Sequence, residues 1–570
     1  MHSKSYLLIL TIVLSLAGCH THEKNKRKYN LSVNWELLSN IYTDCDRAKA
    51  VFTLTNHSQH TLKASEWELY FNMAPRTIIP STDTAWGDIE WISGDWYKLV
   101  PRKKTKLKPE ISVQLFYEFQ GWQIKESDAP SGLYFVWKNN RNKEEIFLPS
   151  NYTITPFTRE NQVKRSKYDQ EPLPTPENRY SDYSTYYNEP ATSTIPVIPS
   201  PYKMNLYSDI FTLDPSYAIV YDKGLEEEAT WLDKKLYEFT GINLPLQEHI
   251  TSPGASIQLV SQPITINGKQ DESYTMKTAP GSIVITGSKT GVFYGIESLL
   301  HLVPDSVYKN KPGKILLPSL YIEDTPRFSY RGLHIDVSRN FESKEQIKKI
   351  LDLMAFYKLN VLYLYLADDE GWRLEIEGLP ELTEIGSRRG HTIDEKEFLH
   401  PSYGSGPFPD ADNNHGSGYY TRNDFKEIIQ YAHQRHIEVI PGINVPGHSR
   451  AAIKAMEARY NRLNAEGKTD EANEYRLIDP DDESKYLSAQ LYYEYAITLQ
   501  QNNRLGDVNN DGNVDIVDAM LIAQYYVGIS PEIFYPEVAD VNGDGIIDIN
   551  DALLVAQLYV GIIDEFPINP

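Results

Sequence analysis

Two groups of residues in this sequence have the types and spacing for chemistry. The first is a pattern of side-chain oxygens near the C-terminus. Asp507, Asn509, Asp511, Asp515 and Asp518 stand at positions 1, 3, 5, 9 and 12 of one run, and Asp540, Asn542, Asp544, Asp548 and Asp551 repeat them 33 residues on. Gly at position 6 permits a sharp turn, and position 7 (Asn513, Ile546) can offer a backbone carbonyl. Hard oxygen ligands at this spacing suit Ca²⁺, one ion per loop. Carboxylates packed so closely repel unless a cation sits among them, so Ca²⁺ is expected to order the segment.

The second group is Asp336, Asp368, Asp369 and His448. Each follows or ends an apolar run: "RGLHIDVSRNF", "NVLYLYLADDE" and "IEVIPGINVPGHS". Where parallel strands alternate with helices, functional groups gather at the carboxyl ends of the strands. Carboxylates and a histidine placed there suit sugar recognition and proton transfer. One such residue could merely cap a loop; four on successive strands argue for a site. Glu370 beside the acidic pair and Asp412 in a loop are further carboxylates, placed by no motif.

The elements that must hold this second group read clearly. A strand from Tyr330 to Val337 leads to Ser343, a helix cap with Gln346 three residues on. Ile347, Ile350, Leu351 and Met354 then share one helical face. The next strand is apolar on both faces, as a parallel strand covered by helices should be. A second helix opens at Thr421 with Asp424 as its cap partner, and a third strand follows. Successive βα units of this kind predict a right-handed parallel sheet.

Residues 30–150 instead alternate short apolar runs with turn signals, which predicts an antiparallel β-sandwich. Residues 158–200 are rich in proline and polar side chains and read as a semi-extended linker. Residues 201–325 alternate strands and helices. There Leu225, Ala229, Leu232 and Leu236 fall at helical spacing, and Gly241 marks a stop.

The chain has 570 residues and a formal net charge of −22. Residues 505–570 hold twelve Asp or Glu and no Lys, Arg or His, so they carry about half of that excess. An acidic tail repels nucleic acid, and no nucleic-acid partner is expected. The opening "MHSKSYLLILTIVLSLAGCH" has a lysine, an apolar run and small residues, the pattern of an export signal too short to span a membrane. Cys19 and Cys45 are the two cysteines. Cys45 reads as a small buried apolar residue.

Several strings carry resemblances. Leu16-Ala17-Gly18-Cys19 resembles the bacterial lipoprotein box, which implies a diacyl group on Cys19 and lipid anchoring in the cell envelope, at the outer membrane or cell surface. "WELYFN", "GDWYKLVP" and "WQIKESDAPSGLYFVW" resemble the carbohydrate-binding-type domain that precedes chitobiase and hexosaminidase catalytic domains; the roles of Trp91, Trp96 and Trp122 are by default packing. "GVFYGIESLLHL" resembles the support domain of glycoside hydrolase family 20. "RGLHIDVSRNF", "ADDEGWRLEI", "LPELTEIGS" and "IPGINVPGHSRAAIKAMEARY" closely resemble family 20 β-N-acetylhexosaminidases. The duplicated loops, with Asp at position 12 and a helix after each, resemble a type I dockerin, which implies a cohesin-bearing partner.

The resemblances imply a multidomain chain. Residues 1–19 are a lipoprotein signal, 28–157 a β-sandwich, 158–200 a linker, 201–325 an α+β support domain, 326–499 a partial (β/α)₈ TIM barrel and 505–565 a small α dockerin with two calcium loop–helix units. They imply a substrate with a terminal, non-reducing N-acetylhexosamine, and a substrate-assisted mechanism that needs no cofactor. Arg331 would hold sugar hydroxyls. Asp368 or Asp369, with His448, would support the general acid, and Trp372 would pack.

The family's catalytic Asp-Glu pair stands in a His-x-Gly-Gly-Asp-Glu string, and no such string occurs here. Where the third strand of the family reads Pro-Glu-Ile-Asp, this chain has Pro441-Gly442-Ile443-Asn444. About three of eight βα units precede the calcium loops. Two readings therefore stand: a hexosaminidase whose turnover is very weak or nil, and a calcium-dependent assembly protein that displays sugar-binding domains. For the second, Ala519, Leu521, Ile522 and Tyr525 with Ala552, Leu554, Val555 and Leu558 are expected to form the seam between the two C-terminal helices.

Overall fold

The computed structural model describes residues 29–42, 47–79, 86–138, 144–172, 175–184, 196–248, 254–410, 414–444, 447–476, 505–509, 514–529, 531, 534–543, 545–559, 563 and 566, with the backbone alone of 478–479 and 482–486. Cys19, Cys45, Asp412, Asp511, Asn513, Asp544 and residues 487–504 lie outside the described residues.

The first unit is a sandwich of two five-stranded sheets. One runs, in spatial order, Asn151–Ile154, Leu31–Ser39, Arg47–Asn56, Ser112–Gln120, Ile78–Ile79; the other runs Glu144–Phe147, Ser131–Lys138, Trp67–Asn72, Trp96–Pro101, Gly87–Ser93. Period-two sequence produces it: along Leu31–Ser39 every second side chain is buried. Trp35, Phe52, Phe71, Tyr97, Phe119 and Phe135 fill the space between the sheets.

The expected linker is more structured than its composition suggests. Glu160–Val163 is a helical turn docked on the sandwich, where Gln162 Nε2 donates to Leu37 O (2.7 Å) and Asn40 N to Asn161 O (2.7 Å). Pro176–Ser184 is a helix with no buried residue. Proline suits its first position, and Thr175 Oγ1 accepts from Asn178 N (3.1 Å). Capping and local sequence therefore form this helix, without the apolar period that would have revealed it.

The second unit is a seven-stranded sheet, ordered Lys203–Leu213, Ile315–Asp324, Tyr274–Ala279, Ser282–Gly287, Ser256–Ser261, Ala218–Tyr221, Leu246–Gln247. Helices Glu226–Thr240 and Lys289–His301 pack on it. Leu225, Ala229, Leu232 and Leu236 are buried as their spacing predicts, and Gly241 closes the first helix at φ 78°.

The third unit supplies three parallel strands, Gly332–Asp336, Val361–Asp368 and Glu438–Ile443, with Val361–Asp368 in the centre. Ser343 caps helix Lys344–Phe356, but the reciprocal bond expected of Gln346 is not made; its Oε1 accepts from Lys349 Nζ (2.8 Å) instead. Thr421 and Asp424 do form the reciprocal pair at the start of Arg422–His433. One apolar core runs without a break from the second unit into this one. Among the described residues, Gly332–Asp336 has no partner on its outer side. An apolar groove of about 590 Å³ lies there, lined by Leu333, Ile335, Leu353, Met354 and Tyr357. No helix among the described residues is long and apolar enough to cross a membrane.

The last unit packs helices Ile516–Tyr526 and Ile549–Tyr559 against each other. Ala519, Ile522, Ala552 and Val555 are buried between them, as the helical spacing predicts. Tyr525 is not in that seam: it is exposed and stacks on Phe534 at 4.5 Å. Val508 and Val541, from the loops themselves, complete the core.

Candidate functional site

The three parallel strands deliver Asp336, Asp368 and, just beyond the third, His448 to one end of the sheet. Asp369 and Glu370 lie in the turn between Val361–Asp368 and the short strand Gly371–Trp372, which folds back on it. What ties them together is Arg339, three residues past the first strand. Its guanidinium lies 2.9 Å from Asp336 Oδ2 and 2.8 Å from Asp368 Oδ2. Its Nε lies 2.9 Å from Glu370 Oε2, an ion pair out of hydrogen-bond alignment. Tyr365 Oη donates to Asp368 Oδ2 (2.5 Å). His448 Nδ1 is 3.2 Å from Asp368 Oδ1 and 3.3 Å from Asp369 Oδ2. Asp369 Oδ1 accepts from Arg450 N (3.0 Å) at the start of helix Arg450–Ala465, where a carboxylate is favoured.

Asp368 is wholly buried, while His448 is exposed on its open side. Partial burial pulls the Arg339 guanidinium down, but Glu370, Asp368 and Asp336 more than reverse this and hold it above its ordinary value. Burial pushes the Glu370 carboxyl up to about 7; Arg339 opposes the rise, and Asp368 and Asp369 add to it. Glu370 can therefore gain or lose a proton near neutrality, a property suited to proton transfer. Asp368, Asp369 and His448 bring their ligand atoms within 4.8 Å of one another. Arg339 already supplies the positive charge there, so a metal ion gains little at this point.

The scaffold behind the cluster is a second arginine. Arg373 is fully buried and gives all five N–H bonds to backbone carbonyls: Nε to Val337, Nη1 to Ser387 and Gly418, Nη2 to Ser338 and Gly416. Burial drives its guanidinium well below the ordinary value, and nearby Arg389 adds to this. These bonds fix the turn that carries Arg339. Trp372 packs with Leu379, Leu382 and Ala451, as expected for a core residue.

Arg331 requires a correction. It precedes strand Gly332–Asp336, so it stands at the amino end, away from the cluster. There it meets Glu272, in the turn before strand Tyr274–Ala279 of the second unit, at 2.7 and 3.0 Å and also donates to Lys358 O (2.7 Å). It joins two domains and is not available to a sugar at the strand ends. Arg339 and Glu370 take their place in the cluster. Of the three tryptophans singled out in the sandwich sequence, Trp96 is buried, Trp91 is exposed, and Trp122 lies under Arg165 at 5.2 Å.

The C-terminal loops repeat one geometry. Asp518 Oδ1 accepts from Val508 N (2.9 Å) and Oδ2 from Asp515 N (2.9 Å). Asp551 does the same with Val541 N (2.9 Å) and Asp548 N (2.8 Å). Both position-12 carboxylates are fully buried. Burial pushes the Asp551 carboxyl up, three backbone N–H groups draw it back, and Asp540 pushes the same way as burial. An all-oxygen donor set folded round a buried carboxylate fits Ca²⁺.

Comparison with known proteins accords with this architecture. Family models match in succession: a carbohydrate binding domain (residues 27–177), glycosyl hydrolase family 20 domain 2 (194–325), glycosyl hydrolase family 20 catalytic domain (328–502) and dockerin type I domain (505–558). The chain therefore belongs to glycosyl hydrolase family 20 and carries a type I dockerin. It is 34% identical over 492 residues to a beta-hexosaminidase of Vibrio vulnificus, covering 82% of this chain and 55% of that protein. To an N,N'-diacetylchitobiase of Vibrio harveyi it is 33% identical over 516 residues, covering 86% and 56%. It thus spans about half the length of the curated relatives it matches. A solved exo beta-N-acetylglucosaminidase from Vibrio harveyi, in complex with N-acetylglucosamine, is similar with a TM-score of 0.58 and 26% identity, covering 75% of this chain and 59% of that one.

Proposed function

We propose that the strand-end cluster receives a terminal N-acetylhexosamine, with Arg339 as the donor to its hydroxyls and Asp368, Asp369 and His448 as the polar wall. The observation that carries this reading is Arg339 itself: a partly exposed guanidinium held by three carboxyl groups at the strand ends of a family 20 domain. Hydrolysis by this chain is very weak or nil. It holds no His-x-Gly-Gly-Asp-Glu string, and loss of a general acid costs roughly 10²–10⁴-fold. Glu370 is turned to Arg339 and not free to reach a leaving oxygen. The parallel sheet, with an apolar groove beside its first strand, is a partial barrel. Release of a chromogenic leaving group from an N-acetylglucosaminide tests this; turnover above about 1 s⁻¹ contradicts it.

The second activity is calcium-dependent attachment to a cohesin-bearing partner. One ion would be held by Asp507, Asn509, Asp511, Asp515, Asp518 and the Asn513 carbonyl; the other by Asp540, Asn542, Asp544, Asp548, Asp551 and the Ile546 carbonyl. The matching loop geometry around buried Asp518 and Asp551 supports this. The protein works outside the cytoplasm, anchored by lipid on Cys19. Palmitate labelling that persists in Cys19→Ala would remove the anchor from this reading.

A further inference from the structure

The β-sandwich reaches the candidate sugar site through a turn of the third unit, residues 401–404. Asn72, at the end of strand Trp67–Asn72, is buried and holds this turn at both sides. Its Nδ2 donates to Pro401 O (2.9 Å), and its Oδ1 accepts from Gly404 N (3.1 Å). Asp95 accepts from Ser402 Oγ (2.8 Å) and from Tyr403 N (2.8 Å). The approach is close: a Cβ on Gly132 would lie 2.7 Å from Gly404 Cα. Beside the turn, an aromatic set on the sandwich is already filled. His391 inserts edge-on against Tyr70, Trp96 and Tyr134, 2.9 Å from Tyr134 Oη, and His400 lies 4.7 Å from the Trp96 ring. The aromatic residues of a carbohydrate-binding-type domain are here used to grip the neighbouring domain.

The gripped turn presents Tyr403. Its backbone sits in the left-handed region (φ 50°), a strained state for a residue with a side chain, and the residue is 52% exposed. The turn lies against the backbone that braces the strand-end cluster: a Cβ on Gly416, whose carbonyl accepts from Arg373 Nη2 (3.1 Å), would lie 2.4 Å from Ser405 Cβ and 2.8 Å from Arg389 Nε. Buried Arg389 links the two places: it donates to Arg339 O (2.6 Å) and Glu370 O (3.3 Å), and Asp95 and Tyr403 act on its charge. A strained, exposed aromatic beside a polar cluster has the form of a sugar platform, apolar on its face and polar at its tip.

We propose that Tyr403 is a sugar-contacting residue of the strand-end site, bearing the face of an N-acetylhexosamine ring, and that Asn72 and Asp95 of the β-sandwich are the positioning residues that hold it there. This rests on the sugar site proposed above. It makes the N-terminal domain a wall of that site instead of a separate binder.

The test is a titration of the full chain with N-acetylglucosamine by ligand-observed NMR. Tyr403→Ala should weaken binding about tenfold, the loss of one aromatic contact, and Tyr403→Phe by less than about twofold. Asp95→Ala should weaken binding like Tyr403→Ala and raise amide exchange across 400–405. In the double variant Asp95→Ala/Tyr403→Ala the affinity should equal that of Tyr403→Ala alone, because both act through one contact. If Arg339→Ala abolishes binding and Tyr403→Ala binds like wild type, the Tyr403 proposal is overturned and the sugar site stands. If the wild-type chain binds no N-acetylglucosamine, the sugar site itself falls, and this proposal with it.

Discussion

The strand-end cluster and the C-terminal loops are both built from carboxylates, and they handle negative charge in opposite ways. At the strand ends the protein supplies its own cation, Arg339, between Asp336, Asp368 and Glu370. In residues 505–570 there is no Lys, Arg or His to do this for twelve acidic residues. Backbone N–H groups satisfy part of Asp518 and Asp551 but bring no full charge. The first site is therefore complete as a charged structure without any ligand, and the second, on the function proposed above, depends on an ion from outside. Glu297 shows a third solution: burial raises its carboxyl to about 7, so it sheds its charge more readily than an exposed acid.

The largest expected effect lies behind the cluster. Arg373→Met would leave five backbone carbonyls without their donor, at about 1 kcal/mol net each, so the third unit should lose about 5 kcal/mol of stability. Its urea midpoint reads this directly. Next is withdrawal of Ca²⁺. With Ca²⁺ at about 30 times the Kd of each loop, the two ions together add about 4 kcal/mol to the folded dockerin. Chelation should then raise amide exchange across Ile516–Tyr526 and Ile549–Tyr559 and leave Val361–Asp368 unchanged. Equal exchange in both regions would erase the contrast. Third, Arg339→Met turns the cluster into an unpaired acidic site like the loops. The expected cost is about 3 kcal/mol, since removing one partner strands buried Asp368.

The smallest effect is a pH dependence. Burial raises the Glu297 carboxyl from its ordinary 4.5 to about 7, with Trp231 Nε1 donating to it at 2.7 Å. A raised acid contributes its stability in full below pH 4.5 and loses it as pH rises through 7. Glu297→Gln keeps an acceptor for Trp231 and removes that loss. The variant should be more stable than the parent at pH 6 by about 2 kcal/mol, and no more stable at pH 4.

How far the sequence disclosed this molecule depended on the range of each signal. Helix Glu226–Thr240 and the pair Thr421 and Asp424 were legible because spacing and capping act over a few residues. The Arg331 assignment failed over one strand length. Five residues at about 3.3 Å each separate the strand's ends by roughly 16 Å, and the string "RGLHIDVSR" carries an arginine beyond each end. Strand polarity favours Arg339, which lies beyond the carboxyl end. The sequence shows Glu370 beside the acidic pair, but its pairing with Arg339 is a contact between strands. The grip of Asn72 and Asp95 on residues 401–404 joins positions over 300 apart and leaves no local pattern. Helix Pro176–Ser184 has no apolar face at all, so periodicity could not find it.

The contrast between the two acidic regions is tested most directly by calorimetric titration of the chelator-treated full chain with CaCl₂. Two ions per chain should bind, both lost in the double variant Asp518→Ala/Asp551→Ala and both kept in Asp368→Asn. No bound ion, two ions that survive loss of both position-12 aspartates, or an ion that departs with Asp368, would each contradict it.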